Sequence, residues 1–192
     1  MTDETAYWHG GAQGIGVGDR LLTPRQLMSR GHAYAPRTGL MISSPTDVDR
    51  VYFSSERQFA RAYGYRNEIL LPNGTRIRRG ALYLVQPVGR LEEDPDFEGA
   101  GVSWCAPSAI VLAVETAKVS MPAAAAVEAI GKYSTWDDGR PMYLEDGRLQ
   151  VTWQLEARGV TQQRLDQLIP RRWTHWEDAL VHLDRITRLG HI

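Results

Sequence analysis

The sequence predicts a mixed α+β fold, in which several short strands are interspersed with helices. Short apolar segments rich in β-prone residues are separated by turn-forming pairs such as Asn73-Gly74 and Asp146-Gly147. Capping patterns such as Thr23-Pro24 predict where helices begin. The chain has 192 residues, of which 43% are hydrophobic, so it is long enough for one domain with a real core and an elaboration.

Eight segments are expected to form strands because they are apolar or β-prone and lie beside turn signals. They are residues 6–9, 50–54, 69–71, 75–77, 81–85, 110–114, 142–144 and 149–155. The pair around Asn73-Gly74 and the pair around Asp146-Gly147 are each predicted to form a hairpin. Loops are expected at the glycine-rich residues 10–18 and at the Gly-, Pro- and Ser-rich residues 31–46.

Two capping patterns predict helices in the first part of the chain. Thr23 and Gln26 have the spacing of a capping box, and Pro24 suits the first helical position. Ser55 and Gln58 repeat that spacing and are expected to open a second helix. One face of this second helix would carry Phe59, Ala62 and Tyr63.

The character of the sequence changes after Ala117. The alanine-rich residues 122–132 predict a helix. Thr174 and Glu177 predict the start of a last helix. The apolar stripe of that helix would consist of Trp176, Leu180 and Leu183. No internal repeat is evident.

Composition restricts the class of protein. A formal net charge of −1 argues against a protein held to nucleic acid mainly by bulk charge. The first five residues lack the basic-then-apolar order of a secretory signal, and no apolar run approaches the thickness of a bilayer. The single cysteine, Cys105, excludes an internal disulfide framework and a Cys-rich zinc site. We therefore expect a cytoplasmic protein without a membrane segment and without a metal.

Three short segments are candidates for chemistry: Tyr7–Gly10, Val51–Ser55 and Leu91–Pro95. Taken separately, each has an ordinary structural explanation, as a histidine at a strand end, an aromatic pair in a core and a solvated acidic turn. Their order along the chain and the residues around them are more specific than any one segment alone. The first segment is followed by Gly18–Leu22, and the third directly follows Ala81–Gly89.

This series resembles the rifamycin ADP-ribosyltransferases, small bacterial enzymes that inactivate rifamycin antibiotics, within the wider ADP-ribosyltransferase superfamily. The resemblance covers residues 6–116 and implies a compact fold whose short strands form a split β core with flanking helices. It implies a catalytic domain at residues 1–117 and leaves residues 118–192 as a C-terminal α/β extension of unknown role. The implied activity is cleavage of the nicotinamide–ribose bond of NAD⁺, the co-substrate, and transfer of ADP-ribose to an acceptor.

The resemblance also implies roles in holding NAD⁺. His9 would hydrogen-bond a ribose hydroxyl, and the backbone of Gly10 would hold the nicotinamide carboxamide. Tyr52 would lie beside the nicotinamide ring, and Tyr63, further along the chain, would close its other face. A flat cationic ring is well held between aromatic faces, and a fixed dinucleotide is prepared for attack.

Asp94 matches the acidic residue of the family's His–Tyr–Asp set, with the neighbouring Glu92 and Glu93 as competitors for the role. Breaking the bond between nicotinamide and ribose moves positive charge onto the sugar as the transition state forms. A nearby carboxylate then gains attraction that it lacked to the same degree in the ground state, which is catalysis by differential binding. Neither a metal nor a covalent nucleophile is required.

The acceptor is open at this point. By resemblance it is a hydroxyl of a rifamycin-like small molecule, and the matches at Gly18–Leu22 and Glu92–Pro95 favour this expectation. The long segment after residue 117 favours a toxin-like enzyme that acts on a protein or nucleic acid. The hairpin at Asn73-Gly74 and the stretch Gly101–Pro107 also depart from the pattern of the rifamycin enzymes. A further alternative is a degenerate fold that binds NAD⁺ or a partner without catalysis.

Other signals are less specific. The glycine run matches neither the dinucleotide fingerprint nor the phosphate loop. His175 and His182 lack the spacing of a zinc helix. Arginines could combine with tryptophans into a surface suited to nucleic acid, but solvated arginines over ordinary packing are favoured. These residues are Arg76, Arg78, Arg79, Arg171, Arg172, Trp173 and Trp176. Nucleic acid is therefore the less favoured partner.

Overall fold

The computed structural model describes residues 5–30, 47–70, 76–78, 80–179 and 181–182, and it has the predicted mixed α+β class. The chain falls into two compact units, Met1–Met121 and Pro122–Ile192. In the ranges described, no helix is long and apolar enough to cross a membrane.

The first unit consists mainly of strands. Its strands are β1 (Tyr7–Ala12), β2 (Arg20–Leu21), β3 (Val51–Ser54), β4 (Glu68–Leu70), β5 (Arg76–Arg78), β6 (Gly80–Val88), β7 (Glu92–Glu93), β8 (Ser103–Ala106) and β9 (Ser108–Thr116). Its helices are α1 (Pro24–Ser29) and α2 (Arg57–Arg66), and a 3-10 turn spans Pro95–Phe97.

Seven of these strands form one antiparallel sheet in the order β2-β9-β6-β1-β3-β8-β7, and β4 pairs with β5 separately. Strand β1 pairs with β6 along its whole length. Within residues 5–30 and 47–70, the register of β1 with β3 consists of one pair, Trp8 opposite Ser54. We call this short junction the β1–β3 seam.

Alternation along the strands gives the sheet two faces. The core face carries the main apolar cluster, and the helix face is covered by α2. The core cluster consists of Leu21, Val51, Phe53, Ala81, Tyr83, Val85, Ala106, Ala109 and Val111, with Tyr7, Ile15 and Trp104 packed against it. On the helix face, Ala60 of α2 lies in a buried cluster with Leu82 and Val119, against which Trp8 packs.

Glycines let α2 approach the sheet closely. A Cβ atom on Gly10 would lie 1.8 Å from the carbonyl oxygen of Ala60, and one on Gly80 would lie 1.7 Å from that of Gly64. No side chain fits at either distance, so helix backbone rests directly on strand backbone. This contact fixes α2 above β1 and β6.

The capping box at the start of α1 is confirmed. The hydroxyl of Thr23 accepts from the N–H of Gln26, and the side chain of Gln26 accepts from the N–H of Thr23. The strands around Asn73-Gly74 pair as predicted, although the turn itself and the expected loop at 31–46 lie outside the described residues. The glycine-rich segment forms a loop only after Ala12, because β1 extends that far.

The second predicted capping box, at Ser55 and Gln58, is wrong. Helix α2 begins at Arg57, and its N-cap, Glu56, makes no side-chain capping bond. The hydroxyl of Ser55 donates instead to the carbonyl of Gly101, at 2.9 Å. A contact distant in sequence therefore takes the group that local spacing assigns to the helix.

The second unit contains α3 (Ala123–Gly131), α4 (Trp153–Glu156) and α5 (Gln162–Leu168), and residues 176–179 and 181–182 are also helical. The predicted helix at 122–132 is confirmed. A last helix is predicted to begin at Thr174. Two residues of its predicted apolar stripe, Leu180 and Leu183, lie outside the described residues.

The predicted hairpin at Asp146-Gly147 is reduced to a bridge between Tyr143 and Leu149. The strands expected at 142–144 and 149–155 are therefore wrong beyond that bridge. The hydroxyl of Thr152 accepts from the N–H of Leu155, which starts α4 there.

Two successive turns in this unit repeat each other, a feature that the sequence analysis missed. The segments Trp136–Tyr143 and Leu144–Val151 each contain an acidic pair followed by Gly-Arg. In each turn the arginine Nε donates to the preceding aspartate at 2.7 Å, as in Arg140 to Asp138. Each arginine also reaches an acid on a helix, Glu156 for the first turn and Asp166 for the second.

Candidate functional site

His9 lies at the β1–β3 seam with its ring half-buried. Its Nδ1 lies 2.7 Å from the carbonyl oxygen of Tyr52, and because a carbonyl only accepts, Nδ1 carries the proton. Burial lowers the pKa of His9 and outweighs the opposing effect of the Tyr52 carbonyl. The ring is therefore neutral at neutral pH, and its Nε2 is a hydrogen-bond acceptor.

Tyr52 alternates with Val51 and Phe53, which belong to the core cluster, so its phenol lies on the helix face. Its hydroxyl accepts from the N–H of Asp47 at 2.9 Å. Burial raises the pKa of this phenol, and the Asp94 carboxylate raises it further. Tyr52 is thus an uncharged aromatic surface within electrostatic range of Asp94.

Asp94 is a buried carboxylate, with 7% of its surface exposed. One oxygen accepts from the N–H of Asp96 at 3.1 Å, and the other accepts from the hydroxyl of Ser103 at 2.8 Å. Burial raises the pKa of Asp94, and these two hydrogen bonds lower it in part. Each carboxylate oxygen can accept a second hydrogen bond, so the group keeps capacity for a ligand.

The register of the sheet places Asp94 at the same height along the strands as the β1–β3 seam. Trp8 lies opposite Ser54, Ser54 lies opposite Ser103, and the N–H of Asp94 donates to the carbonyl of Ser103 at 3.0 Å. Asp94 is therefore in the same transverse row as the residue that precedes His9.

The two competing acidic residues have different surroundings. Glu92, opposite Cys105, forms ion pairs with Arg50 at 2.8 Å and Arg90 at 3.3 Å. Glu93 is opposite Trp104, which packs on the core cluster, and it accepts from a backbone N–H at 2.8 Å. Among the residues described, Asp94 is the acid of this group that combines burial, the helix face and the lack of a cationic partner.

Aromatic side chains connect α2 to the turn that Asp94 begins. The ring of Tyr63, which is 37% exposed, lies 5.1 Å from that of Phe59. Phe59 in turn lies 5.0 Å edge-on from Phe97, at the end of the 3-10 turn. Gly10 lies directly beneath α2.

The structure thus brings the His9 ring to the Tyr52 backbone, and the Tyr52 phenol to the face that carries Asp94. The His9 side chain starts from the core face, whereas the Tyr52 phenol and Asp94 lie on the helix face, so the three groups do not share one flat surface. Sequence reasoning missed Ser103, which holds Asp94, because a serine in a short strand carries no motif.

Compared with known proteins, the chain matches no family model and no curated protein. In the described parts of the chain, no group of three or more His, Cys, Asp or Glu residues is placed to hold a metal ion.

Proposed function

We propose that the first unit is an ADP-ribosyltransferase that uses NAD⁺ as co-substrate and has an ADP-ribosyltransferase-type split β core. The observation that supports the proposal is the bond of the neutral imidazole of His9 to the backbone of Tyr52, whose phenol lies on the same face as the buried carboxylate of Asp94. His9 lies on β1, Tyr52 lies on β3 and Asp94 directly follows β7, so the three residues span no more than three strand spacings, about 14 Å. One dinucleotide spans that distance.

The chemistry of the donor set fits NAD⁺. The Nε2 of His9 would accept from a ribose hydroxyl, and the backbone of Gly10 would hold the nicotinamide carboxamide. Tyr52 would form one wall for the nicotinamide ring, and the exposed ring of Tyr63 would form the other.

Asp94 would act on the bond that breaks. When the nicotinamide–ribose bond cleaves, its electron pair leaves with nicotinamide and positive charge develops on the sugar. A carboxylate held in place by Ser103 and by a backbone N–H stabilises that charge without reorganising. An acceptor hydroxyl then bonds to the sugar carbon and releases its proton to solvent or base.

We propose a hydroxyl of a rifamycin-like small molecule as acceptor, on the resemblance of the first unit alone. Rifampicin incubated with the protein and NAD⁺ should gain the mass of one ADP-ribosyl group. Label transferred from NAD⁺ to lysate proteins or nucleic acids, with unmodified rifampicin, would favour the toxin-like alternative.

The test of the activity itself is nicotinamide release from labelled NAD⁺ by the purified chain. Wild type should release nicotinamide well above the spontaneous rate, with and without acceptor. Saturable NAD⁺ binding without release would identify a non-catalytic binding module and contradict the proposal.

A further inference from the structure

Tyr83 connects His9 to the glycine-rich loop through a single buried side chain. It is 0% exposed and lies opposite His9 in the register of β1 and β6. The two rings are stacked, with centroids 6.4 Å apart and planes 26° apart. The Tyr83 hydroxyl donates to the carbonyl of Ala12 at 2.6 Å and accepts from the N–H of Ile15 at 3.4 Å. It therefore closes the start of the loop across residues 12–15.

Gly11 supplies the space that the His9 ring occupies. A Cβ atom on Gly11 would lie 2.3 Å from Nε2 of His9 and 2.9 Å from its Cδ2. Any other residue at this position would push the ring away from the Tyr52 carbonyl, which Nδ1 reaches at 2.7 Å. Three contacts therefore fix the imidazole: a carbonyl at Nδ1, the Tyr83 ring at its face and bare backbone beneath Nε2.

We propose that Tyr83 and Gly11 are positioning residues that hold His9 with Nδ1–H on the Tyr52 carbonyl and Nε2 presented as an acceptor to the ligand. The Tyr83 hydroxyl makes this arrangement depend on the closed loop at residues 12–15. The identity of the ligand rests on the proposed function, whereas the arrangement of the ring does not.

A neutral imidazole has two tautomers and can also turn over about its Cβ–Cγ bond. Only one combination leaves an acceptor at the position of Nε2. Removing the Tyr83 hydroxyl loosens the loop and the ring together, so a smaller fraction of molecules is ready to bind. The apparent affinity for NAD⁺ falls in proportion to that fraction.

The experiment uses the full chain labelled with ¹⁵N at histidine, and Tyr83→Phe as the variant that keeps the ring. Disappearance of a signal in His9→Gln identifies the His9 resonances. Tyr143→Phe is the matched control, because Tyr143 is buried in the second unit and its hydroxyl donates to the carbonyl of Thr174 at 2.8 Å. In wild type we expect the Nδ1–H tautomer, with slow exchange of that proton.

In Tyr83→Phe we expect faster exchange and a mixture of tautomers, together with a KM for NAD⁺ raised about fivefold and a smaller change in kcat. Gly11→Ala should give the same spectral change with the Tyr83 hydroxyl intact. Tyr143→Phe should change neither His9 nor KM.

Unchanged His9 nitrogen shifts and exchange in Tyr83→Phe would overturn the inference. If the His9 spectra change as expected but wild type neither binds nor cleaves NAD⁺, the proposed function fails and the positioning of the ring stands. The two failures are therefore distinguishable.

Discussion

Replacing Asp94 with asparagine removes the charge of the carboxylate and keeps its shape. At an effective dielectric constant of about 20, two unit charges about 4 Å apart interact by about 4 kcal/mol. The charge on the sugar is incomplete in the transition state, so we expect a loss of about 3 kcal/mol. This corresponds to a fall in kcat of about 100-fold to 200-fold. The KM for NAD⁺ should change less than kcat, because the carboxylate attracts the charge that develops on the sugar more strongly than it attracts the ground state.

Although Asp94→Asn lowers turnover, it should not lower the free energy of unfolding. Burial raises the pKa of Asp94 above its unfolded value, so the folded state loses stability as pH rises through the folded pKa. At pH 8 the charged, buried carboxylate opposes folding. Asp94→Asn should therefore unfold in urea at the same or a higher midpoint than wild type.

The assay is nicotinamide release under saturating NAD⁺, with Glu93→Gln as the matched control. Glu93 lies on the other face, and glutamine keeps its acceptor for the backbone N–H that it holds. Its turnover should stay within about twofold of wild type. The reasoning is refuted if Asp94→Asn retains wild-type turnover, or if Glu93→Gln loses as much as Asp94→Asn.

Three further predictions concern binding, backbone strain and thiol reactivity. Tyr52→Ala should raise the KM for NAD⁺ about fivefold in steady-state kinetics through loss of a stacking face, and Tyr52→Phe, which keeps the ring, should change it less. Gly139→Ala and Gly147→Ala both place alanine at a positive φ, but a Cβ on Gly147 would also lie 2.5 Å from Nε1 of Trp173, whereas Gly139 has open space. Urea unfolding should show losses of about 1 kcal/mol for Gly139→Ala and about 3 kcal/mol for Gly147→Ala, and equal losses would contradict the steric argument. Cys105 is buried and burial raises the pKa of its thiol, so labelling by a thiol reagent at pH 8 should follow unfolding; rapid labelling of the folded chain would refute this.

Features that depend on neighbours along the chain were predictable from the sequence. The capping box of Thr23 and Gln26 is complete within four residues, and both of its hydrogen bonds form. Ser55 has the same local pattern, but its hydroxyl donates to Gly101, far along the chain. Local spacing cannot reveal that competition.

At the candidate site, too, local patterns were predictable and contacts between distant residues were not. The sequence could place His9, Tyr52 and an acidic residue in order, but it could not choose among Glu92, Glu93 and Asp94. That choice depends on the register of β7 against β8, since a shift by one residue exchanges the faces of a strand. The bond from His9 to the Tyr52 carbonyl likewise depends on how two strands diverge at the seam.

The most direct measurement of the central claim is a crystal structure of the chain with an NAD⁺ analogue whose nicotinamide–ribose bond cannot be cleaved. We predict the nicotinamide ring against Tyr52, a ribose hydroxyl on Nε2 of His9 and the Asp94 carboxylate beside the anomeric carbon. An analogue bound away from the β1–β3 seam, or no bound analogue at saturating concentration, would contradict the account.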